Sequence, residues 1–553
     1  MTDPRSQNAG AQKQSSGIHR RWPSGWQWLV IVVSLLVLMP MTVLFLSWLN
    51  PAWDIWQHLQ QTLLSRLLLN SFKLVIGVSC GTLLLGVGLA WLTGACDFPG
   101  RRHFSWTLLL PLAMPTYVLA FVFLGLFDFS GPVQTQLRGW FGSGLWFPDM
   151  RSAGGVVLVM SLALYPYVYL LSRNAFRTQG KRALEAAQSL GCSPVSGFFR
   201  VVLPMARPWI AGGTTLVVME ALADFGAVSI FNYDTFTTAI YKAWFGFFSL
   251  PAAAQLSSLL VTLVFGLVLL EQQLRKRMRF AQSRLAPQAE PIQLQGWHKW
   301  AAILTCSVVL AVAFLVPAIQ LLYWSLQVFH QEFNRRYVDL LGHSLLLGLS
   351  SALLIVTLAL LIAYCGRRHN DRWTGALIRL STLGYALPGT VLAVGIFIPL
   401  AGLDNFLIDV VASVLNVEMK PLLQGTIFVM LLAYLIRFMA AGFKPIDSAM
   451  HRVTSTVDEA SRLMGLRGLT LIWRIHLPML KGGIFTALTL VFVDVMKEMP
   501  ITLMTRPFGW DTLAVKIYEL TSEGEWERAA LPALTLLLSG LLPILLLMRG
   551  SEE

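Results

Sequence analysis

Two stretches of the chain share one spacing: residues 185–204 read EAAQSLGCSPVSGFFRVVLP, and residues 459–478 read EASRLMGLRGLTLIWRIHLP. In each stretch a glycine follows the glutamate by six residues, and a Leu-Pro pair ends the stretch. The two stretches lie 274 residues apart. Self-similarity at a fixed offset indicates an internal duplication, so we expect one structural unit to occur twice.

The composition indicates a membrane protein. Of the 553 residues, 55% are hydrophobic and 13% are charged, whereas soluble domains carry about 25% charged residues. Apolar runs long enough for a helix to cross the ~30 Å hydrocarbon core occur about twelve times. We therefore predict an all-α integral membrane protein with about 12 transmembrane helices. Each half holds an even number of spans, so the halves are predicted to be two parallel six-helix repeats.

The positive charge predicts the orientation. The formal net charge is +13, and Lys and Arg concentrate in the loops that lie inside if the N-terminus is cytoplasmic. The positive-inside rule then places both termini in the cytoplasm. The net positive charge is thus explained by the membrane topology, and nucleic acid is not expected as a partner. The five cysteines show no paired spacing, which argues against a zinc site or a disulfide framework.

The spans and loops predict a division of the chain. Residues 1–25 form a cytoplasmic N-terminal tail, and residues 26–271 form the first six-span half. A cytoplasmic linker, 272–299, leads to the second six-span half, 300–548, and to a short cytoplasmic tail, 549–553.

Each repeated stretch lies between the fourth and fifth span of its half, and its local chemistry predicts two short helices. Gly191 suits a left-handed cap at the end of the first helix, and Ser193-Pro194 suits the start of the second. The second helix carries apolar residues at the i, i+3, i+4, i+7 spacing of one face: Val195, Phe198, Phe199 and Val202 in the first copy, and Leu469, Ile472, Trp473 and His476 in the second. A helix of this length cannot span a bilayer. Its apolar ridge rests on lipid or on its own spans, or it inserts into a groove of a cytoplasmic partner.

Four carboxylates fall inside predicted spans. Glu220 lies ten residues, or ~15 Å, into the span predicted at 210–231, and Asp224 lies one turn further on the same face. Asp494 and Glu498 repeat this pair in the span predicted at 484–504. Acidic groups at such depth usually face a bundle interior or an aqueous cavity. They could line a pathway for a hard cation, or they could have a structural role, with Lys497 neutralising Asp494.

The repeated loop resembles the cytoplasmic signature of binding-protein-dependent ABC importer permeases of the type I, MetI-like architecture. In that family the loop contacts the nucleotide-hydrolysing subunits and transmits their closure to the spans. In the first copy the resemblance, together with the apolar ridge, implies ATPase-coupling roles for Glu185, Ala186, Ala187, Gly191, Phe198, Phe199, Leu203 and Pro204. In the second copy it implies the same roles for Glu459, Ala460, Ser461, Gly465, Ile472, Trp473, Leu477 and Pro478. Ser461 departs from the family's alanine but is still a small residue.

The segments around the acids are similar to the fused, two-half ferric-iron importer permeases of bacteria. The matching stretches are MEALADFG at 219–226, TFTTAIY at 235–241, KEMPITL at 497–503, RPF at 506–508 and DTLA at 511–514. The resemblance implies import of ferric iron from a periplasmic binding protein into the cytoplasm by alternating access. It also implies a multi-pass protein of the bacterial inner membrane, surrounded by lipid, with a cytoplasmic ABC ATPase homodimer as partner.

The chain itself is not expected to be an enzyme. It lacks the Gly-x-x-x-x-Gly-Lys-Ser/Thr phosphate loop, so we expect ATP and Mg to be bound by the separate ATPase and no cofactor to be bound by this chain. We assign no catalytic residue and no firm metal ligand. Three alternatives stay open: a permease for thiamine or another organic cation, a 12-span secondary transporter, and a membrane redox subunit. Paired histidines inside spans would be expected of the last, and the sequence shows none.

Overall fold

The computed structural model describes residues 24–142, 146–276, 291–369, 371–415, 420–466 and 468–549. Within these ranges ten helices are long and apolar enough to cross a membrane, and a bent pair of helices can count as an eleventh span. The last apolar run, residues 531–548, which the sequence predicts as the twelfth span, lies within the helix Trp526–Arg549. The side chains of this helix are described only to residue 542. The prediction of an all-α membrane protein is confirmed.

The helices of the first half are Gly25–Leu46, Trp53–Thr62, Leu64–Ala95, Arg101–Thr107, Thr116–Phe127, Pro132–Phe141, Ala153–Ala175, Lys181–Ser189, Pro194–Gly197, Leu203–Ala223, Gly226–Ile230, Phe236–Tyr241 and Leu250–Lys276. Those of the second half are Trp297–Leu310, Val316–Glu332, Arg335–Arg368, Arg372–Ser381, Gly389–Leu415, Ile427–Met450, Ser455–Leu463, Leu469–Leu471, Leu477–Met479, Lys481–Lys497, Pro500–Thr505, Leu513–Ser522 and Trp526–Arg549. Wide π-helical turns occur at Phe176–Gly180, Phe198–Val202, Lys242–Gly246, Ala311–Leu315 and Ile472–His476, and 3₁₀ turns at Ser47–Leu49, Leu110–Ala113 and Leu383–Ala386.

The third span of each half begins later than the sequence predicts. The apolar runs 105–127 and 375–400, each of which the sequence predicts as one span, are each divided by a 3₁₀ turn into a short entry helix and a longer apolar helix. The longer helices start at Thr116 and Gly389, directly after Pro115 and Pro388. Proline restricts the preceding residue away from helical geometry, so the apolar run could not form one continuous helix.

The two halves interlock through their first spans. Val30, Val33 and Val37 of Gly25–Leu46 are buried in a core that consists largely of helices from the second half. The approach is close: a Cβ added to Gly395 would lie 2.8 Å from the Cβ of Pro40. The seventh span does the reverse, since its Trp324 is buried in the core of the first half. Each core is therefore completed by a helix of the opposite half.

The predicted linker is partly described. Within its described part a short strand, Ile292–Gln293, pairs in parallel with Cys96–Asp97 at the end of the second span. The Gln293 side-chain amide donates a hydrogen bond to Asp97 Oδ2 at 2.8 Å. The linker residues 277–290 and the predicted N-terminal tail up to residue 23 lie outside the described residues. The domain boundaries as a whole stay a prediction.

The outer faces of the spans are apolar. Large side chains that stay exposed include Leu35, Leu84, Leu349, Leu353 and Leu538. An exposed apolar belt of this extent is unfavourable in water, but it suits helices whose backbone polar groups are bonded internally in hydrocarbon.

Candidate functional site

A polar cavity lies where residues of both halves meet. One compartment has a volume of about 150 Å³, and a neighbouring compartment of about 200 Å³ shares most of its polar wall. The polar residues that line the two compartments are Thr116, Tyr117, Tyr167, Glu220, Asp224, Tyr385, Arg437, Asp494, Lys497 and Glu498. The structure thus brings together all four carboxylates that the sequence singles out.

Asp224 ends one helix and begins the next. The helix that carries Glu220 stops at Ala223, and Asp224 is extended, with φ −65° and ψ 129°. Asp224 Oδ1 accepts hydrogen bonds from the backbone N–H groups of Ala227 and Val228, at 2.9 and 3.2 Å. The predicted continuous span 210–231, with Asp224 one turn beyond Glu220, is therefore wrong. The carboxylate instead caps the short helix Gly226–Ile230.

Glu498 has the corresponding position in the second half. The helix Lys481–Lys497 ends before it, and Glu498 Oε1 accepts a hydrogen bond from the backbone N–H of Ile501 at 3.0 Å. Its Oε2 lies 3.5 Å from Arg437 Nε, and the Glu498 side chain is only 5% exposed. The predicted span 484–504 is therefore interrupted in the same way as 210–231. Asp224 and Glu498 shape the break in each fifth span.

Glu220 and Asp494 are placed differently. Both lie on the last turn of their helices and line the cavity wall. Glu220 Oε1 accepts a hydrogen bond from the Tyr385 hydroxyl at 3.3 Å. Among the described residues, neither carboxylate forms an ion pair within 4.0 Å. These two carboxylates are therefore the ones whose oxygens can meet a solute in the cavity.

The cations of the cavity come from the second half. Arg437 contacts Glu498, and the Lys497 ammonium donates a hydrogen bond to the backbone carbonyl of Leu112 at 3.0 Å. At the 274-residue offset the first half has Ala163 and Ala223 in their places. Sequence reasoning did not assign Arg437 to the site, although an arginine within an apolar span is itself a functional signal.

Two tyrosines of the cavity were also not predicted from the sequence. Tyr167 and Tyr385 both line the cavity, but neither carries a charge or lies in a repeated pattern. No feature of the sequence distinguishes them from the other tyrosines of the spans, so only the packing of the two halves reveals them.

The predicted coupling loops have the local geometry that the sequence indicates. Gly191 and Gly465 adopt φ of +84° and +82°, the left-handed conformation that ends a helix. The Ser193 side chain accepts a hydrogen bond from the backbone N–H of Ser196, and Pro194 is the first helical residue. The turn between the two predicted helices is therefore confirmed in the first loop.

The apolar residues of the second helix divide into two faces, so the prediction that all four lie on one face is wrong. Val195 and Phe199 are 68% and 62% exposed, and their counterparts Leu469 and Trp473 are 58% and 67% exposed. The other four positions face the protein interior: Phe198, Val202, Ile472 and His476. One side of the helix packs on the bundle, and only the opposite side is left for a partner.

Phe198 and Ile472 illustrate the inward face. The Phe198 ring lies 4.9 Å from the Trp91 ring, edge to face, and Ile472 is 3% exposed. Both were predicted as coupling residues, and the structure places their side chains between the short helix and the membrane-spanning bundle. Phe199 and Trp473 are the neighbouring residues that point outward.

The remaining coupling positions divide in the same manner. Ala187 and Ser461 are buried, so the small residue at this position permits close packing. Leu203, Pro204 and Leu477 are half-buried. The exposed positions are Glu185, Ala186, Gly191, Glu459, Ala460, Gly465 and Pro478.

The short helix is separate in one loop only. In the second half, Leu469–Met479 is bent by 84° from the following helix Lys481–Lys497. In the first half, Pro194–Ala223 runs as one helix, so the prediction of a separate short helix is wrong there. The bend of the second half falls at Leu480, whose φ of −94° and ψ of 7° depart from α-helical geometry.

Comparison with known proteins agrees with this duplicated architecture. The family described as "Binding-protein-dependent transport system inner membrane component" matches residues 86–280 and again residues 355–550. The Fe(3+)-transport system permease protein FbpB 2 of Haemophilus influenzae is 26% identical over 492 residues, which cover 88% of this chain and 90% of that protein.

Shorter relatives match one half. The molybdenum transport system permease protein ModB of Haemophilus influenzae is 28% identical over 38% of this chain and 95% of its own length. ModB of Escherichia coli K12 is 29% identical over 35% of this chain and 86% of its own length. With the family's module present twice, the chain belongs to the inner membrane components of binding-protein-dependent transport systems, and it is a transport subunit rather than an enzyme.

Proposed function

We propose that this chain is the permease of an ATP-driven importer that moves ferric iron into the cytoplasm by alternating access. The observation that carries the proposal is the cavity in which Glu220 of the first half and Asp494 of the second line one wall. Carboxylate and phenol oxygens are hard ligands that suit a hard cation.

The cargo is inferred from two sources that agree. The relative that spans most of this chain is named as a ferric-iron transport permease. The molybdenum and sulfate permeases match only about one half each. Four carboxylates against two cations also favour a cationic cargo over an anion, because buried charge needs compensation.

The exposed faces of the two short helices support a cytoplasmic partner with two equivalent grooves. Phe199 and Trp473 occupy corresponding positions and leave a large aromatic side chain exposed in each half. Aromatic anchors of this kind fill pockets at the centre of interfaces. We assign the grooves to an ABC ATPase homodimer that binds ATP and Mg. A binding protein then delivers iron to the opposite, periplasmic side of the inner membrane, and both termini lie in the cytoplasm.

The mechanism follows from the breaks in the fifth spans. Asp224 and Glu498 cap the short helices that follow the breaks and so hold each break in place beside the cavity. Glu220 and Asp494 contact the cargo while it passes. Movement of the first coupling loop tilts the helix Leu203–Ala223, which continues from it, and movement of the two halves against each other opens the cavity to one side at a time.

The test is reconstitution of the chain with its ATPase and binding protein in proteoliposomes. We expect ATP-dependent uptake of ferric iron that exceeds uptake of thiamine and of molybdate. Uptake of thiamine that iron does not inhibit would overturn the assignment of the cargo. Uptake by the chain alone, driven by an ion gradient, would overturn the assignment to an ATP-driven importer.

A further inference from the structure

The second coupling loop contains a buried polar triad. Arg367 Nε lies 2.6 Å from Asp458 Oδ2, and His476 Nε2 lies 2.8 Å from Asp458 Oδ1. Arg367 belongs to the second span of its half, Arg335–Arg368, and Asp458 directly precedes Glu459 of the repeated loop. His476 belongs to the short helix of the second loop, Leu469–Met479, which we call the second coupling helix. The triad therefore joins three separate elements.

The guanidinium of Arg367 also binds two backbone carbonyls. Nη1 donates to the Met450 carbonyl at 2.9 Å, and Nη2 donates to the Thr454 carbonyl at 3.0 Å. These carbonyls lie at the end of the fourth span and at the start of the loop. One side chain therefore holds the loop against two spans with hydrogen bonds of fixed direction.

The triad is shielded from solvent. The His476 side chain is fully buried, and the side chains of Asp458 and Arg367 are 11% and 17% exposed. Burial by itself would raise the pKa of the Asp458 carboxyl. The hydrogen bonds from His476 and Arg367 and their charges outweigh burial and hold this pKa below its ordinary value. The carboxylate is therefore ionised at neutral pH.

The first half secures its loop with different chemistry. Leu184 and Val202 occupy the positions of Asp458 and His476, and both are buried. In place of the triad, the Trp91 ring makes edge-to-face contacts with Phe176 and Phe198, with centroids 5.4 and 4.9 Å apart. An apolar contact suffices there, because the coupling helix continues directly into its span.

The bend in the second half explains why a directional link is needed. The helix Leu469–Met479 turns by 84° at Leu480, so it cannot push its span along a common axis. We propose that Arg367, Asp458 and His476 form a positioning triad, which transmits movement of the second coupling helix to the second span of that half. The proposal rests on the proposed function, since it assumes an ATPase that moves the helix.

The test measures coupling separately from docking. The full complex is reconstituted with ATPase and binding protein, and two quantities are recorded: ATP hydrolysed per ferric ion imported, and the affinity of the ATPase for the permease. We expect His476→Leu to raise ATP use per ion about tenfold, since hydrogen bonds to charged groups contribute on this scale. The affinity for the ATPase is expected to stay unchanged.

Three further variants make the test specific. His476→Gln keeps a side-chain hydrogen-bond donor, so its ratio of ATP hydrolysed to ferric ions imported should stay near that of the parent protein. Arg367→Lys keeps the charge but loses the forked contacts to two carbonyls, and should raise ATP use. The control is His451→Gln, because His451 is 81% exposed and, in the described part of the chain, forms an ion pair only with Asp447 one turn away. This control should match the parent.

A triple variant separates positioning from stability. Arg367→Met with Asp458→Leu and His476→Val places the apolar side chains of the first half at two of the positions, and such replacements are often neutral for stability. We expect this variant to insert and to bind ATPase, but to be uncoupled. Should it fail to insert, the contrast between His476→Leu and His476→Gln decides the question.

Two outcomes overturn different claims. If the parent transports and all variants keep its ratio of ATP to iron, the triad has no role in coupling. If the parent complex shows no ATP-dependent uptake, the proposed function is wrong, and the role of the triad in coupling is wrong with it.

Discussion

The two halves place acids at corresponding positions of the cavity but surround them differently. Asp494 and Glu498 lie near Lys497 and Arg437, both from their own half. Glu220 lies on a half that supplies alanines at those positions, and its hydrogen-bond donor is the Tyr385 hydroxyl of the other half. Duplication thus preserved the acids, while the compensating cations occur in one copy. We therefore expect Glu220 to be the carboxylate that attracts a cationic cargo most strongly.

The coupling loops differ in a second respect. The first passes into its span as one helix and rests on aromatic rings, whereas the second bends by 84° and is held by a charged triad. A continuous helix transmits force along its axis, and a bent one needs a lateral connection. The two loops can therefore perform the same task with different residues, and substitutions in one should not mimic those in the other.

The largest difference between the halves should appear in stability. Glu498→Ala leaves Arg437 charged and unpaired, which we expect to cost about 3–5 kcal/mol. Asp224→Ala removes a helix cap and the acceptor of the Thr116 hydroxyl but leaves no cation unpaired, which costs about 1–2 kcal/mol. Thermal unfolding of the two variants in detergent measures the contrast, with Glu498→Gln as the isosteric control. Equal losses would show that the pair with Arg437 adds nothing to the cap.

The outward aromatic residues should give the next largest effect. Phe199→Ala and Trp473→Ala should each weaken binding of the ATPase by about 2 kcal/mol, as expected for an anchor at the centre of an interface. Phe198→Leu, one residue away on the inward face, should leave the affinity unchanged. Titration of the ATPase onto immobilised permease provides the measurement. An equal loss for Phe198→Leu would contradict the division of the ridge into two faces.

Substitution of the cavity acids should separate the halves by function. Glu220→Gln should slow iron uptake about tenfold, equivalent to about 1.4 kcal/mol, because the described residues of the first half place no cation beside this carboxylate and its charge is left to attract the cargo. Asp494→Asn should slow uptake less, since Lys497 already offsets that carboxylate. Initial rates of ATP-dependent uptake test the order. A larger effect at Asp494 would reverse the proposed difference between the halves.

The smallest effect concerns pH. The pKa of Asp458 is lower in the folded protein than its ordinary value of about 3.9, so the folded state is stabilised at pH values above the ordinary pKa. This stabilisation is lost as the pH falls through the lowered pKa. The melting temperature of the parent should therefore fall more than that of Asp458→Asn between pH 7 and pH 3. Parallel melting curves would contradict an ionised carboxylate in the triad.

The sequence predicted the positions of the acids better than their roles. Periodic apolar runs place Glu220 and Asp494 deep in spans, and the structure confirms that both line one cavity. The interruptions at Asp224 and Glu498 were not predicted, because an apolar run has the same composition whether its helix is continuous or broken. The split ridge was missed for a similar reason, since a spacing of i, i+3, i+4, i+7 spans an arc wide enough to contain both a packed and an open side.

By itself the sequence determined that the chain is a duplicated, all-helical membrane protein with two repeated loops. The length of hydrophobic runs, the placement of charges and the equal spacing of motifs are properties of the linear sequence, so they can be recognised without the structure. Only the tertiary structure decided that the first spans cross to the opposite half, that Tyr167, Tyr385 and Arg437 join the acids, and that the triad links Arg367 to His476. Such contacts join residues far apart in the chain, and they depend on how helices pack side by side.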